Sequence, residues 1–306
     1  MARKLPSMYD DTPSLASWRM AELSPELERR VTTHPAFADA VRALISAMRD
    51  IKRQHPKFSR MTRDSGHYVG AMLAVYLHCN GGLTMANLKA FCAWSGYLSP
   101  GRARAVLLYL QYLGFVEPIA TLRQGTSAQW KVKPYLLEVW HLQMRLALEA
   151  TALIDPAVRQ FADRFAEPGV AEAFTVAHCQ SLLAQTHLEG RILSIRNHFL
   201  QRLGGTQVLH HIIFEARESF PPTAPFTLPV TELARDHGVT RMHIRRMVRD
   251  ARDAGVLIET PEGLIFSDAA RDGLSVLFAA QLACLLHAAS VAEEGLVEAM
   301  PMAARA

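Results

Sequence analysis

Apolar residues recur at helical spacing along most of the chain. From Pro35 to about His55 the positions Phe37, Val41, Leu44, Ile45 and Met48 mark one face of a helix, which Pro56 limits. Val69, Met72, Leu73, Tyr76 and Leu77 mark a second helix, over 66–80, closed by Asn80-Gly81-Gly82. A short extended piece, Leu83-Thr84-Met85, precedes a helix over 86–95. Ser99 and Pro100 then supply an N-cap and a first helical residue for a helix over 100–113. Gly114 stops it, and a β-hairpin over 121–133 with its turn at Gln124–Ser127 follows, then an amphipathic helix over 134–152. The stretch 153–220 reads as helical throughout, broken at Asp155-Pro156, Pro168-Gly169 and Gly204-Gly205, with Pro221-Pro222 as a linker.

After the linker the first pattern returns. Phe226-Thr227-Leu228 is extended, a helix covers 229–236, and His237-Gly238-Val239 is a turn. Thr240 caps a helix running to Gly255. Val256–Glu259 and Leu264–Phe266 form a hairpin, and Ser267-Asp268 cap a helix over 268–290. At an offset of 141, Ser99 falls on Thr240, Arg102 on His243, Arg104 on Arg245 and Gly114 on Gly255, with one extra residue in the first turn. The expected organisation is an arm over 1–33, a unit over 34–152, a helical connector over 153–222, a second unit over 223–292 and a tail over 293–306.

On a wheel of 100° per residue, Ile244, Met247, Val248 and Ala251 form the buried stripe of the second capped helix. The opposite face carries Met242, Arg246 and Arg249, flanked by Arg241, Arg245 and Arg252. Forked arginine donors on the first turns of a helix suit guanine edges in a major groove, and flanking charge suits phosphates. The first copy has Gly101, Ala105 and Leu108 where the second has its reading residues, and its outer face adds Tyr109 and Tyr112.

Charge sharpens this picture. The net charge is only +4 over 306 residues. From Arg42 to Arg63, however, seven Lys/Arg face one acid, and from Arg235 to Arg252 six Arg face two Asp. Such clustering suits a polyanionic partner, although a solvated helix face explains many single clusters. Lys52, Arg53, Lys57, Arg60 and Arg63 are therefore candidate backbone contacts, together with Arg252 and, in the first copy, Arg102, Arg104, Arg123, Lys131 and Lys133. The candidate base-reading set is Thr240, Arg241, Met242, Arg245, Arg246 and Arg249. The acids Glu259 and Glu262 leave the second hairpin little phosphate affinity.

The order of parts resembles the winged helix-turn-helix transcription regulators, most loosely the MarR-like branch. Leu233–Thr240, Ile244, Met247-Val248 and Gly255–Leu257 carry the resemblance, with Leu88, Phe91, Ser95-Gly96, Ser99–Arg102 and Leu110–Val116 in the first copy. It implies a mainly α fold with two winged helix-turn-helix units, small β-hairpin wings and a helical middle. It also implies a bacterial, cytoplasmic, nucleoid-associated protein that binds double-stranded DNA and is not an enzyme. A plasmid-type replication initiator and a protein-interaction module are the alternatives. The helices over 134–152 and 268–290 are the expected homodimer contacts.

Other chemistry finds little support. His178, Cys179, His187 and Glu189 lack metal-ligand spacing, and no cofactor motif occurs. The scattered Cys79, Cys92, Cys179 and Cys284 read as buried free thiols. No long run free of charge and polar breaks suggests a membrane span, and no apolar segment follows the N-terminus as a secretory signal would. Trp94, Tyr109, Tyr112, Trp130, Tyr135 and Trp140 fall at packing spacings, with a small-molecule effector pocket as the other reading.

Overall fold

In a computed structural model, residues 23–80, 82–119, 128–185, 190–216 and 219–299 are described. The apolar stripes become helices: α1 (Pro25–Thr32), α2 (Phe37–Gln54), α3 (Pro56–Met61), α4 (Ser65–Cys79), α5 (Met85–Ser95), α6 (Pro100–Tyr112) and α7 (Pro134–Thr151). The second half holds α8 (Ala157–Asp163), α9 (Val170–Leu183), α10 (Leu193–Ile195), α11 (Gly205–Glu215), α12 (Val230–His237), α13 (Arg241–Asp253) and α14 (Asp268–Ala299). Strands β1 (Leu83–Thr84), β2 (Val116–Pro118) and β3 (Gln129–Val132) make one antiparallel sheet in the order β1-β3-β2. β4 (Leu257–Thr260) and β5 (Gly263–Phe266) make another. The protein is mainly helical with small antiparallel sheets.

The repeat read from the sequence holds at the level of single hydrogen bonds. The Ser99 hydroxyl accepts from Arg102 N at 3.3 Å, and the Thr240 hydroxyl accepts from His243 N at 3.1 Å. Each satisfies an orphan donor of a first helical turn. Gly114 (φ 74°) and Gly255 (φ 67°) both take the left-handed conformation that a β-carbon would oppose. The N–H of the next residue then reaches back, Phe115 to the Leu110 carbonyl and Val256 to the Ala251 carbonyl, each at 2.9 Å. In both units the extended piece ahead of the first helix pairs with the second hairpin strand, Leu83 with Trp130 and Phe226 with Leu264.

The boundaries between regions dissolve into one buried core that runs from Leu23 to Ala292. Residues 25–32, in the stretch expected as a loose arm or short helical pieces, form a short helix, and Val31 is fully buried. α1 lies on α14, which also covers α7, α8 and α9. The apolar faces of α7 and α14 are thus taken up inside this chain, where an intersubunit contact was expected. Helix α14 runs past the expected end at 290, to Ala299. By length and composition Asp268–Glu298 could cross a membrane, but 67% of its most apolar window is buried within the protein. The hairpin turn expected at 124–127 lies outside the described residues.

The connector is less regular than its pattern suggested. α8 gives way to a 3₁₀ turn at Arg164–Ala166, and a π-helical turn at Arg196–Leu200 closes with Gln201 N donating to the Arg196 carbonyl at 2.9 Å. Single π turns mark places where a helix is locally reshaped. Gly205 permits this one: a β-carbon there would stand 2.0 Å from the Phe199 carbonyl oxygen. Gly205→Ala is expected to cost about 1–3 kcal/mol, the usual penalty of overpacking. A fall in the urea midpoint with an unchanged slope would show it; an unchanged midpoint would mean the turn yields freely.

Candidate nucleic-acid interface

Helix α13 is amphipathic in the way its spacing requires. Ile244, Met247 and Ala251 are buried, and Arg241, Met242, Arg245, Arg246, Arg249 and Arg252 are exposed. Burying two large apolar side chains contributes roughly 3–6 kcal/mol, enough to seat the helix and hold the arginine face outward. Among the described residues Arg241, Arg245 and Arg246 have no ion-pair partner. Arg249 has only its neighbour Asp250, at 3.7 Å. Arg245, Arg249 and Arg252 line a groove against Thr260 and Glu262 of the β4–β5 hairpin. Arg252 bonds Glu259 of β4, so this proposed phosphate contact is partly neutralised by the hairpin's acid. Thr240 is exposed, and its hydroxyl oxygen is engaged in the cap.

Behind α13 stands the segment after the π turn. His243 Nε2–H donates to the Leu203 carbonyl at 2.9 Å, and Arg202 donates to Asp250 at 3.2 Å. Gly204 sits so close to the α12–α13 turn that a β-carbon there would meet His237 and Val239 at 3.6 Å. Its N–H donates to the Arg63 carbonyl at 2.9 Å. On the far side of the loop 62–66, the Arg102 guanidinium lies 3.2 Å from where a Gly66 β-carbon would be. The loop therefore joins the start of α6 to the turn before α13. Spacing gave no sign of this junction, because it depends on contacts between residues 33 to 141 positions apart.

The expected backbone contacts fare unequally. Lys57 and Arg60 on α3 are exposed, and Arg63 is half-buried beside the junction. Arg53 is exposed and pairs with Asp50 at 3.1 Å. Arg102 and Arg104 are exposed at the start of α6. Lys131 and Lys133 both bond Glu117 across the hairpin, at 3.0 and 3.2 Å, so one acid answers two lysines. Arg123 lies outside the described residues.

Lys52 is the correction. It is half-buried and lines a partly open cavity, where desolvation lowers its ammonium to about 8. It was grouped with surface cations because it sits in a basic run. It follows Met48 by four residues and Ile45 by seven, which puts it on the buried stripe of α2.

The aromatic residues considered for an effector pocket do not line that cavity. Trp140 is fully buried and stacks on Tyr68, while Tyr112 is 81% exposed. Leu108, 44% exposed, shares the outer face of α6 with Tyr112. Cys92, Cys179 and Cys284 are buried and Cys79 is half-buried, all four as free thiols. His187 and Glu189 lie outside the described residues, among which no three His, Cys, Asp or Glu side chains cluster as metal ligands.

No protein-family model, no curated protein and no solved structure matches this chain.

Proposed function

We propose that the protein is a sequence-specific, double-stranded DNA-binding transcription regulator with two winged helix-turn-helix units. The C-terminal unit reads bases. The single observation behind this reading is the solvent face of α13, where Arg241, Arg245 and Arg246 stand exposed with no ion-pair partner among the described residues. The element order around it supports the same reading: extended piece, helix, turn, capped helix, hairpin. A helix with this face enters a major groove and offers bidentate donors to guanine O6 and N7. Lys57 and Arg60, exposed on α3, and Arg63, whose carbonyl accepts from Gly204 N beside the α12–α13 turn, are the phosphate contacts of this reading.

The N-terminal unit has a different task. Its α6 outer face exposes Leu108 and Tyr112, a poor surface for base edges and a good one for protein. The reading carries a second copy of the chain as its partner there, since α7 and α14 are already covered. It is a reading of binding and not of catalysis.

Selection of bound sequences from a random duplex pool tests it. One recurring motif is expected, bound more tightly than bulk DNA at moderate salt. Lys57→Ala should weaken all sequences alike and reduce the salt slope by about one. A pool that yields no enriched motif would overturn the reading. Sites recovered as clustered repeats in an origin would favour the replication initiator over the regulator.

A further inference from the structure

Between α2, α4, α7, α9, α11 and α14 lies a cavity of about 240 Å³. Its walls are mostly apolar, with Leu44, Met48, Leu182, Leu277 and Phe278 among them. Into this apolar space project Lys52, Arg196, Tyr68, Gln143, His178 and His210. The charge balance is uneven. Asp64, the acid in the lining, already accepts from His67 N and from the His67 ring, each at 2.9 Å. Lys52 has no hydrogen bond or ion pair among the described residues. His178, 6% exposed, has its Nδ1 buried without a partner, and so does His210. A desolvated ammonium beside unanswered polar atoms is costly unless something occupies the space.

The cavity also touches the machinery behind α13. Arg196 and Leu200 of the π turn, with Thr206 and His210 of α11, form part of its wall. Between them, Arg202, Leu203 and Gly204 hold Asp250, His243 and Val239. Whatever fills the cavity presses on the same short segment that fixes the attitude of α13.

The geometry points to a ligand site here for a small apolar carboxylate, its anionic end on Lys52, whose binding is transmitted to α13 through residues 196–204. The transmission to DNA rests on the function proposed above; the site itself does not. A cavity of about 150 Å³ takes a benzene ring, so this one takes a body of roughly ten non-hydrogen atoms, with the charged end at its mouth. A middle-length alkyl or a two-ring aromatic body fits that size. Binding of the carboxylate would answer Lys52, and the apolar walls would cover the rest.

The test uses the full chain with octanoate, decanoate and 2-naphthoate, against decanol and decylamine as uncharged and oppositely charged controls. At least one carboxylate should bind one-to-one by calorimetry and raise the melting temperature, with decanol weaker and decylamine inert. Lys52→Met should melt no lower than the parent, since it removes a desolvated charge, yet bind the same carboxylate at least tenfold more weakly. Lys57→Met should bind it normally. Amide hydrogen exchange in α12 and α13 should change on binding, a readout that needs no DNA. Affinity for the selected duplex should shift at least fivefold in the parent and not in Lys52→Met. If none of the three carboxylates binds, or if decylamine binds as well, the site is overturned. Binding without any change in α12–α13 exchange overturns the transmission. Carboxylate binding and altered exchange with no duplex bound would overturn the DNA-binding reading and leave the site standing.

Discussion

Replacing Arg246 and Arg249 together by alanine is expected to lower affinity for the selected duplex by about 2–6 kcal/mol, summing the usual 1–3 for each base-reading arginine. The two stand three residues apart on one exposed face, so the sum can depart from additivity where they share a base step. Neither is needed to fold α13, whose seat is made by Ile244, Met247 and Ala251 on the opposite face. Thermal stability should therefore stay within about 0.5 kcal/mol of the parent, as surface substitutions do. A gel-shift titration with the selected site and a scrambled site checks both parts. Equal loss on both sites would make these arginines phosphate contacts. Retention of affinity and motif would put the reading face elsewhere.

The second large effect is on stability at mildly acid pH. Burial holds the His178 imidazole at about 4. Burial, and then the Lys52 charge beside it, holds His237 at about 4 as well. His210 is lowered too, by burial first and then by Lys52, Arg49 and His237. In the unfolded chain all three titrate near the ordinary value of about 6.5. The folded protein therefore binds fewer protons than the unfolded one between these limits. The stability carried by the neutral rings is complete above about pH 6.5 and drains away as pH falls toward 4. His178 alone accounts for about 3 kcal/mol over that window, and His237 and His210 add to it. Lys52 is charged in both states throughout and adds no slope. Urea midpoints at pH 7, 6, 5 and 4 would show the decline, and His178→Leu should reduce it by about 3 kcal/mol across the window. A flat profile down to pH 4.5 would mean that the rings are protonated in place.

Much of this was legible beforehand, for identifiable reasons. The α13 stripe is a local periodicity, Thr240 a local cap and Gly255 a local stop, and each depends on residues within a turn or two. The offset of 141 could be found because caps and stops are made by few residue types. What escaped was non-local. The sign of Lys131 and Lys133 is plain in the sequence, but their neutralisation by Glu117 needs the hairpin register that sets Glu117 opposite Lys131. Lys52 has the charge of its surface neighbours but the spacing of the buried stripe of α2, and the spacing decides its place. The cavity and the segment 196–204 draw on six helices, and no single stretch carries their signature.

The covering of the first helices by the last one has a consequence for how the molecule is made. Residues of α2, α4 and α9 leave the ribosome well before α14, which covers α9 and to which α1 is also bound. At about 5–20 residues per second, the remaining hundred or so take several seconds or more to follow. Throughout that interval the nascent chain carries an uncovered apolar face, which closes only after α14 has emerged. The N-terminal half thus completes its interior only after α14 has followed it, and a stop codon at the start of α14 would remove part of that interior.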